Sequence, residues 1–239
     1  MTTRVSPIDQ GYKSARFRWP LWGAAVAVLL IVHFALFGYV QNLVDMRPCI
    51  GYSPDPLMRL IPFDERWTIV TRPLYLWIGT IVGLFLITQA VKGRQFPLLR
   101  LTIASSITSS IRMATLYLIP LCRPTVAAGA PPPLRAVTTI NLHLFSIPFR
   151  PFALNDLVFS GHVAIYLLIL YATPHWPRPV RLAIGFFLLL MIYGLIATRD
   201  HYTVDILLAV PCSFFADRMA VTLVQEIAQT RSGRIVNSV

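Results

Sequence analysis

Residues 197–209 read "ATRDHYTVDILLA". Arg199, Asp200, His201 and Asp205 crowd into seven positions, and an unbroken apolar run follows them. Burying such groups is costly unless they are paired or perform a task. On a helix, residues four apart share a face one turn apart, so His201 and Asp205 can meet. The stretch before it, 180–197, and the stretch from 202 to 224 are each apolar and about as long as a bilayer is thick. The polar cluster therefore reads as a turn between two membrane helices, with chemistry gathered at one face of the membrane.

The rest of the chain agrees. Of its 239 residues 56% are hydrophobic and 13% charged, and the mean hydropathy is +0.64. A soluble domain carries about 25% charged residues. Six candidate spans are expected: 21–44, 73–90, 96–121, 157–172, 180–197 and 202–224. The fold class is all-α, a polytopic membrane protein of six transmembrane helices. It divides into a basic cytoplasmic segment (1–20), a membrane domain (21–226) and a cytoplasmic tail (227–239).

The net charge of +11 does not point to nucleic acid, because the basic residues form no long cluster and lie between apolar segments. The positive-inside rule accounts for them better. With the N-terminus inside, twelve Lys and Arg fall on the cytoplasmic side and eight on the other, with Arg112 left within the membrane. The outer connections, 45–72 and 122–156, are the long ones, and unstructured connections of that length are usually functional or disordered. Cys49, Cys122 and Cys212 have no metal-ligand spacing; a buried thiol is the plain reading of each, and a Cys49–Cys122 disulfide needs both to face an oxidising compartment.

A second polar motif, "NDLVFSGHVAIY", opens the fourth span and places Ser160, Gly161 and His162 at the outer end of that helix. It thus meets His201 and Asp205 at the same face. Asp205 can accept a hydrogen bond from one ring nitrogen of His201 and leave the other to attack or take a proton. His162 supplies a second proton-transfer group. Gly161 permits close backbone approach, and the N–H groups at a helix start suit a phosphate. Ser160 and Arg199 can add a hydrogen bond and a charge-assisted fork to phosphate oxygens. In the third span Arg112 lies well below the outer end, where an arginine faces a polar cavity by default. Its partner is either an anionic substrate or a buried aspartate such as Asp205. Tyr117 is either a phosphate ligand or an interfacial aromatic. His33, His143 and His175 stand alone and read as structural. Two histidines and one carboxylate are a thin ligand set for a metal, so neither metal nor cofactor is expected.

At these residues the chain resembles the sphingomyelin synthase family, a branch of the type-2 phosphatidic acid phosphatase superfamily. The family's "GD-x3-SGHT" is similar to Asn155-Asp156 through Ser160-Gly161-His162-Val163, and its "HYT-x-DV" to His201-Tyr202-Thr203-Val204-Asp205-Ile206. An earlier arginine and tyrosine are similar to Arg112 and Tyr117, with Pro124 closing the segment. Asn155 and Val163 replace a glycine and a threonine. The resemblance covers about 101–210. It implies a phosphatidic acid phosphatase-like helical bundle that moves a phosphocholine or phosphoethanolamine head from a glycerophospholipid to ceramide, releasing diacylglycerol. It also implies that His201, oriented by Asp205, forms a phosphohistidine-type intermediate, that His162 moves the protons, and that Asp200 assists. The two histidines could exchange roles.

The partners expected are membrane lipids, with no nucleic acid; a homo-oligomer is left open. The site would face the periplasm in a bacterial inner membrane, or the lumen in a eukaryotic secretory membrane. Three other functions remain open: a lipid phosphate phosphatase with water as acceptor, a serine hydrolase using Ser160, His201 and Asp205, and a non-enzymatic transporter or scaffold. No "G-x-S-x-G" elbow supports the hydrolase.

Overall fold

The computed structural model describes residues 19–45, 55–92, 96–119, 121 and 159–236. The basic N-terminal segment, Cys49, Cys122, the proline-rich outer connection, Asn155 and Asp156 lie outside the described residues. Helices account for most of the rest, and there is no strand among the described residues. In chain order they are α1 (Trp19–Asp45), α2 (Pro56–Leu60), a 3₁₀ turn (Glu65–Trp67), α3 (Thr68–Val91), α4 (Phe96–Leu118), α5 (Gly161–Ala172), α6 (Arg178–Ala197) and α7 (Thr203–Val236).

Among the described residues, three helical stretches are long and apolar enough to cross a membrane: Glu65–Val91, Arg178–Ala197 and Thr203–Ile227. The other three expected spans fall on α1, α4 and α5. Gly161–Ala172 is a shorter apolar helix. In α4 the serines, threonines, Arg100 and Arg112 dilute the apolar content. In the fourth span Ser160 caps the helix that starts at Gly161. The sixth runs further, to Val236, since no proline follows Pro211 to stop it.

The short α5 is the centre of the bundle. Val163, Ala164, Tyr166, Leu168, Ile169 and Ala172 are all buried, and α4, α6 and α7 pack around it. A helix enclosed in this way meets little lipid and has less need to match the membrane's thickness. Its neighbours show the opposite pattern, with Leu207, Val210, Phe214 and Phe215 of α7 exposed.

The buried stripe of α7 explains how it packs on α4. Asp205, Ala209, Ser213, Ala216, Ala220 and Val224 recur at spacings of three and four, and all are essentially inaccessible. Small side chains on such a stripe allow helix backbones to approach closely, which is how membrane helices gain packing energy. Asp205 heads the same stripe, so the face that packs also delivers the carboxylate. At the other end, Arg100 Nε and Nη2 donate to Asp217 Oδ1 and Oδ2 at 2.8 and 2.7 Å. That fork sets the register of two antiparallel helices. Twelve residues along α4 from Arg100 comes Arg112, and twelve residues back along α7 from Asp217 comes Asp205. Arg112 and Asp205 therefore stand at one level.

Candidate active site

The turn between α6 and α7 is built on a left-handed residue. Arg199 has φ 58°. The Asp200 N–H donates to Leu195 O at 3.0 Å and the Arg199 N–H to Ile196 O at 3.2 Å. These two bonds are the signature of a Schellman helix end, whose left-handed position usually holds glycine. The arginine is kept there by its side chain. Nη1 donates to Ile196 O at 2.7 Å, and Nη2 to Met58 O and Ile61 O at 2.6 and 2.8 Å. The structure thus gives the Arg199 guanidinium three carbonyl partners, where a fork to phosphate was expected. Asp200 accepts from Thr198 Oγ1 at 2.9 Å, inside the same turn.

Beyond that turn, Asp205 Oδ2 accepts from the Tyr202 N–H at 2.8 Å, capping the start of α7. His201 Nδ1 lies 3.5 Å from the same oxygen. The two side chains are thus neighbours across one turn at ion-pair distance, longer than the hydrogen bond the sequence led one to expect. Both side chains are buried.

The α5 motif joins this segment through the backbone. The Ser160 N–H donates to Asp205 O at 3.1 Å, and the Ser160 hydroxyl accepts from the Val163 N–H at 3.4 Å. The serine is the helix N-cap, so its hydroxyl has a structural partner. Two residues on, the His162 ring lies 5.8 Å from the His201 ring, centroid to centroid, at 68°. His162 Nδ1 and Asp205 Oδ1 are buried and make no hydrogen bond among the described residues. Buried polar atoms without partners are rare and often mark chemistry.

Arg112 closes the third side. A Cβ on Gly161 would collide with Arg112 Nη1 and come within 3.1 Å of Cζ, so only glycine lets the guanidinium lie against the start of α5. Phe37 of α1 stacks behind that guanidinium, 5.4 Å from Cζ. Tyr117 lies five residues further along α4 and is half exposed.

Of the residues singled out in the sequence, then, His162, His201, Asp205, Gly161 and Arg112 converge. Ser160, Arg199 and Asp200 build the frame. Two groups were missed. The Tyr75 ring meets His162 edge-on at 4.6 Å, and nothing local in an apolar span distinguishes that tyrosine. Asp55 bonds Thr203 across 148 residues. Its Asp-Pro sequence signals a helix start, but no pattern signals so distant a partner. Among the described residues, no three His, Cys, Asp or Glu side chains converge so as to hold a metal ion.

Fold and site together define an integral membrane protein with a paired-histidine centre beside an arginine. Residues 155–217, which hold both histidine motifs, match the family model described as PAP2 superfamily C-terminal. The match supports the type-2 phosphatidic acid phosphatase superfamily, and with it enzymatic activity of the lipid phosphatase or phosphotransferase kind. No curated protein matches the chain.

Proposed function

We propose that the protein transfers a phospho-head group, of the phosphocholine or phosphoethanolamine type, from a glycerophospholipid to ceramide or a similar lipid alcohol. The observation that carries this reading is the pair of rings 5.8 Å apart, one backed by a carboxylate and the other beside an arginine. At that spacing the two rings are in edge contact, so a phosphate lying alongside both would meet a nucleophile and a proton donor together.

In the first step His201 Nε2 attacks phosphorus while Asp205 stabilises the charge that develops on the ring. The bond from phosphorus to the glyceride oxygen breaks, and His162 gives that oxygen its proton, releasing diacylglycerol. In the second step His162 takes the proton of the acceptor hydroxyl, whose oxygen attacks phosphorus and breaks the P–N bond. Arg112 faces the non-bridging oxygens, where a planar fork suits a phosphate. The sphingomyelin synthase-like motif pattern favours a lipid alcohol over water as acceptor.

The test uses purified protein in mixed micelles with a phospholipid donor, with and without ceramide, and products resolved by chromatography. A ceramide phospholipid formed by wild type and lost in His201→Ala, His162→Ala and Asp205→Asn supports transfer. Diacylglycerol or free phosphate released at the same rate without ceramide makes water the acceptor and the protein a lipid hydrolase. Near-wild-type turnover by Asp205→Asn would remove the orienting role given to that carboxylate.

A further inference from the structure

The segment that carries His201 is held from outside the bundle, by the connection between α1 and α3. Asp55 caps α2, accepting from the Leu57 and Met58 N–H groups at 3.0 and 3.2 Å through Oδ1. The same carboxylate reaches Thr203, the first residue of α7. Oδ1 accepts from the Thr203 hydroxyl at 2.7 Å and Oδ2 from its N–H at 2.5 Å. At the far end of α2, Arg199 grips Met58 O and Ile61 O. Just beyond, the Asp64 N–H donates to Ala197 O at 3.0 Å. A single short helix is thus fastened at both ends to residues 199 and 203, and His201 is midway between the two fastenings.

We propose that Asp55 is a positioning residue for the reaction: through Thr203 it fixes the start of α7, and with it the placement of His201 against Asp205. The chemistry at position 55 requires a carboxylate. Four donor contacts converge on its two oxygens, and Asp55 is only 8% exposed. An asparagine would turn an NH₂ toward at least one donor, leaving it unsatisfied in a buried place. The need for rigidity is general, since small misplacements of catalytic groups cost large factors in rate. The inference rests on the transfer chemistry proposed above for what is being positioned, but not for the tie itself.

The experiment uses the full chain in micelles and compares wild type, Asp55→Asn, Thr203→Val, the double variant, Thr203→Ser and His201→Ala. Asp55→Asn and Thr203→Val should each lower kcat about 10- to 100-fold while KM stays within about threefold, as for lost positioning rather than lost binding. Thr203→Ser, which keeps both donors, should retain most of the rate. The double variant should be no slower than the worse single one, because both break one tie. A kcat within about twofold of wild type in Asp55→Asn, or single losses that multiply in the double variant, overturns the proposal. Thr203→Val leaves the Asp55 cap of α2 intact, so the question survives if Asp55→Asn fails to fold. Amide hydrogen exchange over residues 199–206 is read in parallel. Exchange at least about tenfold faster in Asp55→Asn, confined to that segment, upholds the tie, and unchanged exchange overturns it. If wild type is as inactive on phospholipid as His201→Ala, the transfer reading fails, and exchange still decides whether Asp55 holds the histidine segment.

Discussion

Gly161 shows how much can depend on one hydrogen in place of a methyl group. The Arg112 guanidinium occupies the volume a Cβ would need. Gly161→Ala should therefore displace the arginine rather than the helix, because the far end of a long side chain yields more easily than backbone. Turnover is expected to fall about 10- to 100-fold with little change in Tm, measured on the same micelles by kinetics and by thermal unfolding. A large fall in Tm would mean that the backbone had moved instead. Arg199 is the converse case, a side chain in a conformation that suits glycine. Left-handed backbone costs a non-glycine residue roughly 1–2 kcal/mol, and three carbonyl contacts offset it. Replacing Arg199 by glycine would relieve the backbone and free three acceptors, so the two effects oppose each other.

Among elements, α2 has a fastening that responds to acid. Burial pushes the Asp55 carboxyl up, but bonds from Thr203, Met58 and Leu57 outweigh it and hold the group below the usual carboxylate range. Asp55 also acts on Arg199, whose own value burial draws down and Asp55 partly restores. The unfolded chain then binds the proton more readily than the folded one. Stability from this carboxylate is in place above the ordinary value of about 3.9 and is lost as pH falls through the lower folded value. The difference in Tm between wild type and Asp55→Asn should be full at neutral pH and narrow as the pH falls below the ordinary carboxylate value; a gap that did not narrow in acid would show that charge is not its origin. The same element marks the boundary of what the sequence revealed. The motif spacing showed the His201–Asp205 pair, the α5 start and their common face, because helical period and chain count are local properties. It assigned Ser160 and Arg199 to phosphate, whereas a cap and three carbonyls hold them, because only the folded chain shows which acceptors lie nearby. Asp55 and Tyr75 come from helices distant in sequence, and no period links them to the histidines.

Across the whole molecule, the level at which Arg112 meets Asp205 depends on a contact far from both. Arg100 and Asp217 lie twelve residues, about 18 Å at helical rise, from the level of Arg112 and Asp205. Removing one partner leaves the other's charge buried, at a cost of about 3–5 kcal/mol. Arg100→Met should lower Tm and also turnover, although it touches nothing at the site. The double variant Arg100→Met with Asp217→Leu should regain much of the Tm, since it buries no lone charge; a double variant less stable than Arg100→Met would contradict this account. The setting of that fork has one more consequence. Asp217 is 6% exposed and belongs to the stretch Thr203–Ile227, which is apolar enough to lie in hydrocarbon. Its partner Arg100 is 22% exposed, and dissolved ions screen a partly buried pair much less than charges at an aqueous surface. The alignment of α4 and α7 should therefore depend only weakly on the salinity of the medium, so that brine and fresh water leave the two helices in the same register.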